Sequence, residues 1–201
     1  MVIRNILFDL DGVLFDGSEF HKKIFLKALK DFKNIELADE FHHNELEALT
    51  TKQKLHKLFS FGKIQESDIE LIYNLKQKYT IEELQNYIEP SNIQKDLIKK
   101  LSSEFKLFCV SNSIKKTVET CLKGLEIYEY FTGIISNEDT IEPKPSPKPY
   151  LTVFERWNLN PNESLILEDS EIGLESAYKS GAKVFHVKTM KDITYENILI
   201  N

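Results

Sequence analysis

Two carboxylates stand two residues apart in the run Phe8-Asp9-Leu10-Asp11-Gly12-Val13, directly after an apolar stretch over residues 2–8. In extended backbone, positions i and i+2 point to the same side, so Asp9 and Asp11 can face one reacting group. One carboxylate of such a pair can attack phosphorus to form an aspartyl-phosphate. The other can protonate the departing oxygen and later deprotonate water. Gly12 permits a positive φ or close backbone approach. The competing reading is a calcium-type acidic turn, which asks for further acidic residues and a glutamate at set intervals. Here apolar Val13-Leu14-Phe15 follows instead.

Three further groups supply what phosphoryl transfer demands. Phosphate monoesters react so slowly that their enzymes accelerate them up to ~10²¹-fold. That takes charge neutralisation, in-line positioning and a proton for the leaving oxygen. Glu168-Asp169 offers hard oxygen ligands for Mg2+, which usually takes one or two carboxylates and shares the substrate's phosphate oxygens. Ser111-Asn112, with the N-terminus of the helix that follows, can cradle an anion. Lys144 lies between Pro143 and Pro145, a rigid setting for one ammonium. Taken singly, these are an acidic helix cap, an ordinary N-cap and a surface lysine. The set carries the reading.

The elements that must position these groups are legible in the apolar spacing. After the first strand, residues 18–87 change texture: Ile24, Phe25, Ala28 and Leu29, then Leu55, Leu58 and Phe59, then Ile69, Ile72 and Leu75 recur at helical spacing. This stretch reads as about four helices. Beyond Pro90 strands and helices alternate. Ser91 caps a helix, 106–110 is a strand ending at Ser111, and the next helix stops at Gly124. Residues 133–136 form a short strand before the proline-rich loop 142–149 and a further helix. A strand over 164–167 ends at Glu168-Asp169, a helix over 172–179 stops at Gly181, and 183–187 is the last strand. Such alternation predicts an α/β fold with a parallel, doubly wound sheet, whose ligands gather at the carboxyl ends of the strands. Asp9, Ser111, the loop carrying Lys144, and Glu168-Asp169 all follow strands. The predicted organisation is a core of residues 1–16 and 88–201, with a helical subdomain over 17–87 inserted after the first strand.

Composition sets the outer bounds. The chain has 201 residues, 41% hydrophobic and 29% charged, the balance of a globular protein. Its 26 basic and 32 acidic side chains leave a net charge of −6, which disfavours nucleic acid as a partner. No apolar run reaches the ~20 residues of a membrane span, and no leader-like segment opens the chain, so no membrane partner is expected. The two cysteines, Cys109 and Cys121, form no CxxC pair; Cys109 lies in an apolar strand and reads as a buried thiol, and a reducing, cytoplasmic setting fits. Oligomeric state is left open.

The motif set resembles the haloacid dehalogenase superfamily, in the branch of β-phosphoglucomutase and the phosphoglycolate phosphatase-like enzymes. The resemblance rests on Asp9-Leu10-Asp11-Gly12-Val13-Leu14, Val110-Ser111-Asn112, Lys144-Pro145-Ser146-Pro147 and Leu167-Glu168-Asp169-Ser170, in that order. It implies a Rossmann-like core with an inserted α-helical cap. It further implies Asp9 as nucleophile and Mg2+ ligand, and Asp11 as general acid/base with its carbonyl on the metal. Ser111 and Asn112 would bind phosphate, Lys144 would balance charge, Asp169 would ligate the metal directly, and Glu168 directly or through water. Gly17 stands where this branch commonly has a small hydroxyl residue, so a looser hinge to the cap is expected.

The implied activity is a Mg2+-dependent phosphatase acting on a small phosphorylated metabolite, a phosphosugar favoured, with the cap choosing the substrate. A phosphomutase is the alternative, since it needs the same core residues. A dehalogenase or a non-catalytic scaffold fits less well, because Asp11 and Glu168-Asp169 are all present. Thr51 and Lys52, between two cap helices, are candidates for substrate selection, although a solvated lysine at a helix start accounts for Lys52 better. His42-His43 with Glu45 and Glu47 reads as a solvated helix face rather than a metal site, which needs three or four converging ligands.

Overall fold

The computed structural model describes residues 2–46 and 49–200. The chain divides into two compact units, one of Met1–Gly17 with Gln85–Asn201, the other of Ser18–Leu84.

The first unit is built on five parallel strands: β1 (Asn5–Phe8), β2 (Lys106–Val110), β3 (Gly133–Ile135), β4 (Ser164–Glu168) and β5 (Lys183–His186), in the order β3-β2-β1-β4-β5. All four residues of β1 are buried and all five of β4, as expected for inner strands covered on both faces. Phe8 is level with Cys109 on one side and Leu167 on the other, so Asp9, Val110 and Glu168 follow at one height. Chain order runs outward from β1 through β2 and β3, then crosses to β4 and β5. The reversal point lies at β1 and β4, the crevice where such sheets bind ligands.

Helices α5 (Asn92–Ser102), α6 (Lys115–Gly124), α7 (Lys148–Arg156), α8 (Glu171–Lys179) and α9 (Tyr195–Ile200) complete this unit. Leu7, Phe108, Val110 and Ile166 from the sheet pack with Tyr150, Val153 and Phe154 of α7. Ser91 caps α5 as expected, its side chain accepting from Gln94 N. The end of α6 differs in detail. Gly124 is the last helical residue, and the left-handed position falls two residues later at Glu126, with φ 58°. A Cβ at Gly124 would press on Ile88, so the glycine there answers to packing rather than to chain reversal.

The second unit holds α1 (Ser18–Lys33), α2 (Asp39–Leu46), α3 (Thr51–Ser60) and α4 (Asp68–Tyr87), the last running into the first unit. Phe25, Leu29, Leu55, Leu58 and Ile72 form its own core. No helix among the described residues is long and apolar enough to cross a membrane.

Candidate active site

Asp9 follows β1, its N–H donating to Leu167 O at 3.0 Å, so the nucleophile candidate is tied to the neighbouring strand. The next residues fold back at once. Leu14 N and Phe15 N both donate to Leu10 O, and Gly12 N donates to Phe15 O at 2.7 Å. Gly12 has φ +84°, and a Cβ there would overlap the Asp169 carboxylate. Glycine is required at this position by conformation and by space together.

A Cβ at Gly17 would overlap Asp11 Oδ1 and the ring of Phe15. The missing side chain makes room for Asp11.

Lys144 is buried, and its ammonium donates to Asp9 Oδ1 at 2.6 Å, to Val110 O at 2.8 Å, and to Glu168 Oε1. All three of its protons are thereby committed to protein acceptors. Asn112 brackets the same residue from behind. Its carboxamide accepts from Lys144 N at 3.0 Å and donates to Lys144 O at 3.2 Å. At the same turn the Ser111 oxygen accepts from Ser113 N at 3.0 Å and its own O–H can donate, while the Asn112 amide has a second N–H besides the one given to Lys144 O. One N–H at the start of α6, that of Lys115, already donates to Glu138 Oε2.

Glu168 is fully buried. Its Oε1 accepts from Lys144 and from the Tyr150 hydroxyl at 2.7 Å, and its Oε2 accepts from Asp169 N at 3.2 Å. Asp169 is different. Its Oδ1 is buried with no hydrogen-bond partner. Carboxylate oxygens of Asp9, Glu168 and Asp169 lie within 4.8 Å of one another, the one such group of three among the described residues.

The electrostatics follow. Burial pushes the Asp9 carboxyl well above the usual range, Glu168 adds to the rise, and Lys144 opposes it. Asp169 is pushed up to about 6, mainly by burial and then by Glu168. Burial alone would pull the Lys144 ammonium down, but Asp9 and Glu168 together hold it well above the ordinary lysine value. One ammonium thus sits among several carboxylates. A hard divalent cation fits this set, for it would meet the orphaned oxygen of Asp169 and offset the surplus negative charge.

Sequence reasoning missed Tyr150. A tyrosine in the apolar face of α7 reads as core, and only the fold reveals its hydroxyl on Glu168. Conversely, Thr51 and Lys52 belong to the helical unit. Thr51 opens α3, which Thr50 and Gln53 cap reciprocally, and Lys52 lies 3.7 Å from Glu70 and over the Tyr73 ring. Also in that unit, Lys76 is buried with its Nζ 3.5 Å from His21 Nδ1. His42 is buried beside Phe25, Glu45 pairs with Lys57, and Glu47 lies outside the described residues.

A parallel sheet with acidic groups at the reversal of its strand order is the architecture of a known hydrolase family. The chain belongs to the haloacid dehalogenase-like hydrolases, whose family model matches residues 6–187. It is an enzyme of that family. A phosphoglycolate phosphatase from Aquifex aeolicus is 30% identical over 184 residues, covering 90% of this chain and 83% of the relative. The pyrophosphatase PpaX of Bacillus cereus is 25% identical over 197 residues, covering 97% and 88%. Among solved structures, a β-phosphoglucomutase from Clostridium difficile shares the fold with a TM-score of 0.81 at 22% identity, covering 99% of this chain and 96% of the other.

Proposed function

We propose that this chain is a Mg2+-dependent phosphatase of small phosphate esters, working through an aspartyl-phosphate on Asp9. The observation that carries the reading is the buried Lys144 on Asp9 Oδ1, beside an orphaned Asp169 oxygen. A nucleophilic carboxylate needs a countercharge, and phosphoryl transfer needs a second cation.

Asp9 attacks phosphorus with a carboxylate oxygen. A bond from that oxygen to phosphorus forms as the bond to the ester oxygen breaks, with its electron pair leaving on the ester oxygen. Asp11 gives that oxygen a proton, so the alcohol departs neutral. Asp11 then takes a proton from water, whose oxygen attacks the aspartyl-phosphate and releases inorganic phosphate and the Asp9 carboxylate. Ser111, Asn112 and the backbone N–H groups beside them hold the phosphoryl oxygens. A divalent cation held by Asp9, Asp169 and the Asp11 carbonyl, with Glu168 directly or through water, would supply charge neutralisation at the phosphoryl group.

A phosphosugar remains the favoured substrate class, and the helical unit is assigned the choice among substrates, Thr51 and Lys52 being candidates there. Mutase chemistry is kept as a second reading, because a β-phosphoglucomutase shares the fold over nearly the whole chain. Two buried thiols suit a reducing, cytoplasmic setting.

The test is a screen of sugar phosphates, phosphoglycolate and nucleotides with Mg2+ and with chelator, read as free phosphate and as isomerised sugar phosphate. Phosphate release that needs Mg2+ is expected. Asp9→Asn should lower it by at least roughly 10³-fold with circular dichroism unchanged. Turnover persisting in Asp9→Asn would refute the nucleophile, and an isomer as sole product would replace the phosphatase by the mutase.

A further inference from the structure

We propose that Tyr150 is a positioning residue for this reaction: acting through Glu168, its hydroxyl holds the Lys144 ammonium on Asp9 Oδ1 and so leaves Oδ2 as the attacking oxygen. The inference rests on the reading of Asp9 as nucleophile.

Tyr150 sits in the first turn of α7, fully buried in the apolar cluster formed with Leu7, Phe108 and Val153. Phenylalanine would fill that space equally well, and a hydroxyl in such a place is unfavourable unless it finds a partner. It finds Glu168 Oε1, donating at 2.7 Å. The same oxygen accepts from Lys144, and the face of the Tyr150 ring lies 4.9 Å from Lys144 Nζ. One side chain therefore touches both halves of the ion pair, the carboxylate through its hydroxyl and the ammonium through its ring.

The consequence is geometric. An ammonium has three protons, and here three acceptors from three strand ends take them: Asp9 after β1, Val110 on β2 and Glu168 on β4. With all three in place the ammonium cannot rotate, and Asp9 Oδ1 is committed to it. Of the three acceptors only Val110 O is fixed by the backbone, while Asp9 and Glu168 sit on rotatable side chains. Tyr150 holds one oxygen of Glu168, and Asp169 N and Ser170 Oγ the other. Without the hydroxyl, Glu168 can turn, the ammonium loses a fixed acceptor, and Asp9 no longer presents one defined oxygen. Reactions that depend on near-attack geometry lose rate steeply when the reacting atoms are displaced.

The decisive comparison uses the full chain carrying Tyr150→Phe, which keeps the ring and removes only the donor. On any phosphate ester that the wild type hydrolyses, kcat should fall roughly 10- to 100-fold while KM stays within about twofold. In cation-free protein, the side-chain ammonium resonance of Lys144, assigned by its loss in Lys144→Arg, should be visible in the wild type because its protons are buried and bonded. It should shift and broaden in Tyr150→Phe. Placing 4-aminophenylalanine at position 150 restores a donor and should return kcat to within about threefold of wild type. An unchanged kcat with an unchanged Lys144 resonance in Tyr150→Phe would overturn the proposal, as would a rise in KM alone. If Tyr150→Phe does not fold, the folded 4-aminophenylalanine protein decides: it must keep both turnover and resonance. Should the wild type hydrolyse no phosphate ester, the functional reading fails, while the resonance comparison still decides what the hydroxyl holds.

Discussion

At the scale of single residues, Asp11 and Gly17 make one argument. Asp11 is assigned the proton for the leaving oxygen, and that proton matters only when the oxygen leaves as a strong base. In kcat/KM, which reports the step that expels the alcohol and not the later attack of water, Asp11→Asn should therefore cost roughly 10²- to 10⁴-fold on an alkyl phosphate and far less on p-nitrophenyl phosphate, whose phenolate leaves unaided. An equal loss on both would remove Asp11 from the acid's role. Because a Cβ at Gly17 meets Asp11 Oδ1, Gly17→Ala should displace that carboxylate and reproduce the same leaving-group dependence in a protein whose Asp11 is intact. Values of kcat/KM on the two esters check both variants. Asp9, Asp11, Lys144 and Asp169 were legible as residue types at strand ends. Tyr150 was not, since a buried aromatic on a helix face carries no sequence mark of what its hydroxyl meets.

Asp68 belongs to the scale of elements. It opens α4 from a buried position and accepts from Gln65 N at 2.9 Å and from Lys33 Nζ at 2.6 Å, joining the connection before α4 and the start of α4 to the end of α1. The bond from Lys33, and then that from Gln65, holds its carboxyl below the ordinary value. The sign follows from linkage. A depressed carboxyl contributes stability that is present above its unfolded value of about 3.9 and is lost as pH falls through the lower folded value. Asp68→Asn should lower the melting temperature at neutral pH, and its deficit should close as the medium is taken toward about pH 2. A deficit that stays constant down to that pH would mean the ionised carboxylate is not what matters. Helical spacing alone located α1, α3 and α4. The ion pair that ties α1 to α4 joins residues 35 positions apart, and periodicity says nothing about such pairs.

Whole-molecule stability should report the cation directly. Asp169 brings a buried oxygen without a partner, and its carboxyl is pushed up by burial and by Glu168. Mg2+ at ten times its dissociation constant should raise the melting temperature by about 3–6 °C, the equivalent of roughly 1.4 kcal/mol in a chain of this size. Asp169→Asn should abolish that rise, and in chelator it should be at least as stable as the wild type, since it removes a buried charge that lacks its counter-ion. Thermal melts with and without Mg2+ check both statements. A Mg2+-induced rise that survives in Asp169→Asn would move the metal elsewhere.

Local sequence determined which residues could do chemistry and which elements they terminate, because strand and helix periods, caps and turn residues are short-range properties. β2 runs over the predicted residues, and Ser91 caps α5 through its own side chain. What only the tertiary structure decided is how those residues share their bonds. Parallel pairing of β1 with β2 and β4 sets Asp9 level with residues more than 100 positions away. That closeness commits every proton of Lys144, turns Asn112 into a bracket for it, gives Glu168 a tyrosine partner and leaves Asp169 with an oxygen to spare. Hydrogen-bond capacity is a property of each residue and can be read from its letter. Which partner uses that capacity depends on distances that only the folded sheet supplies.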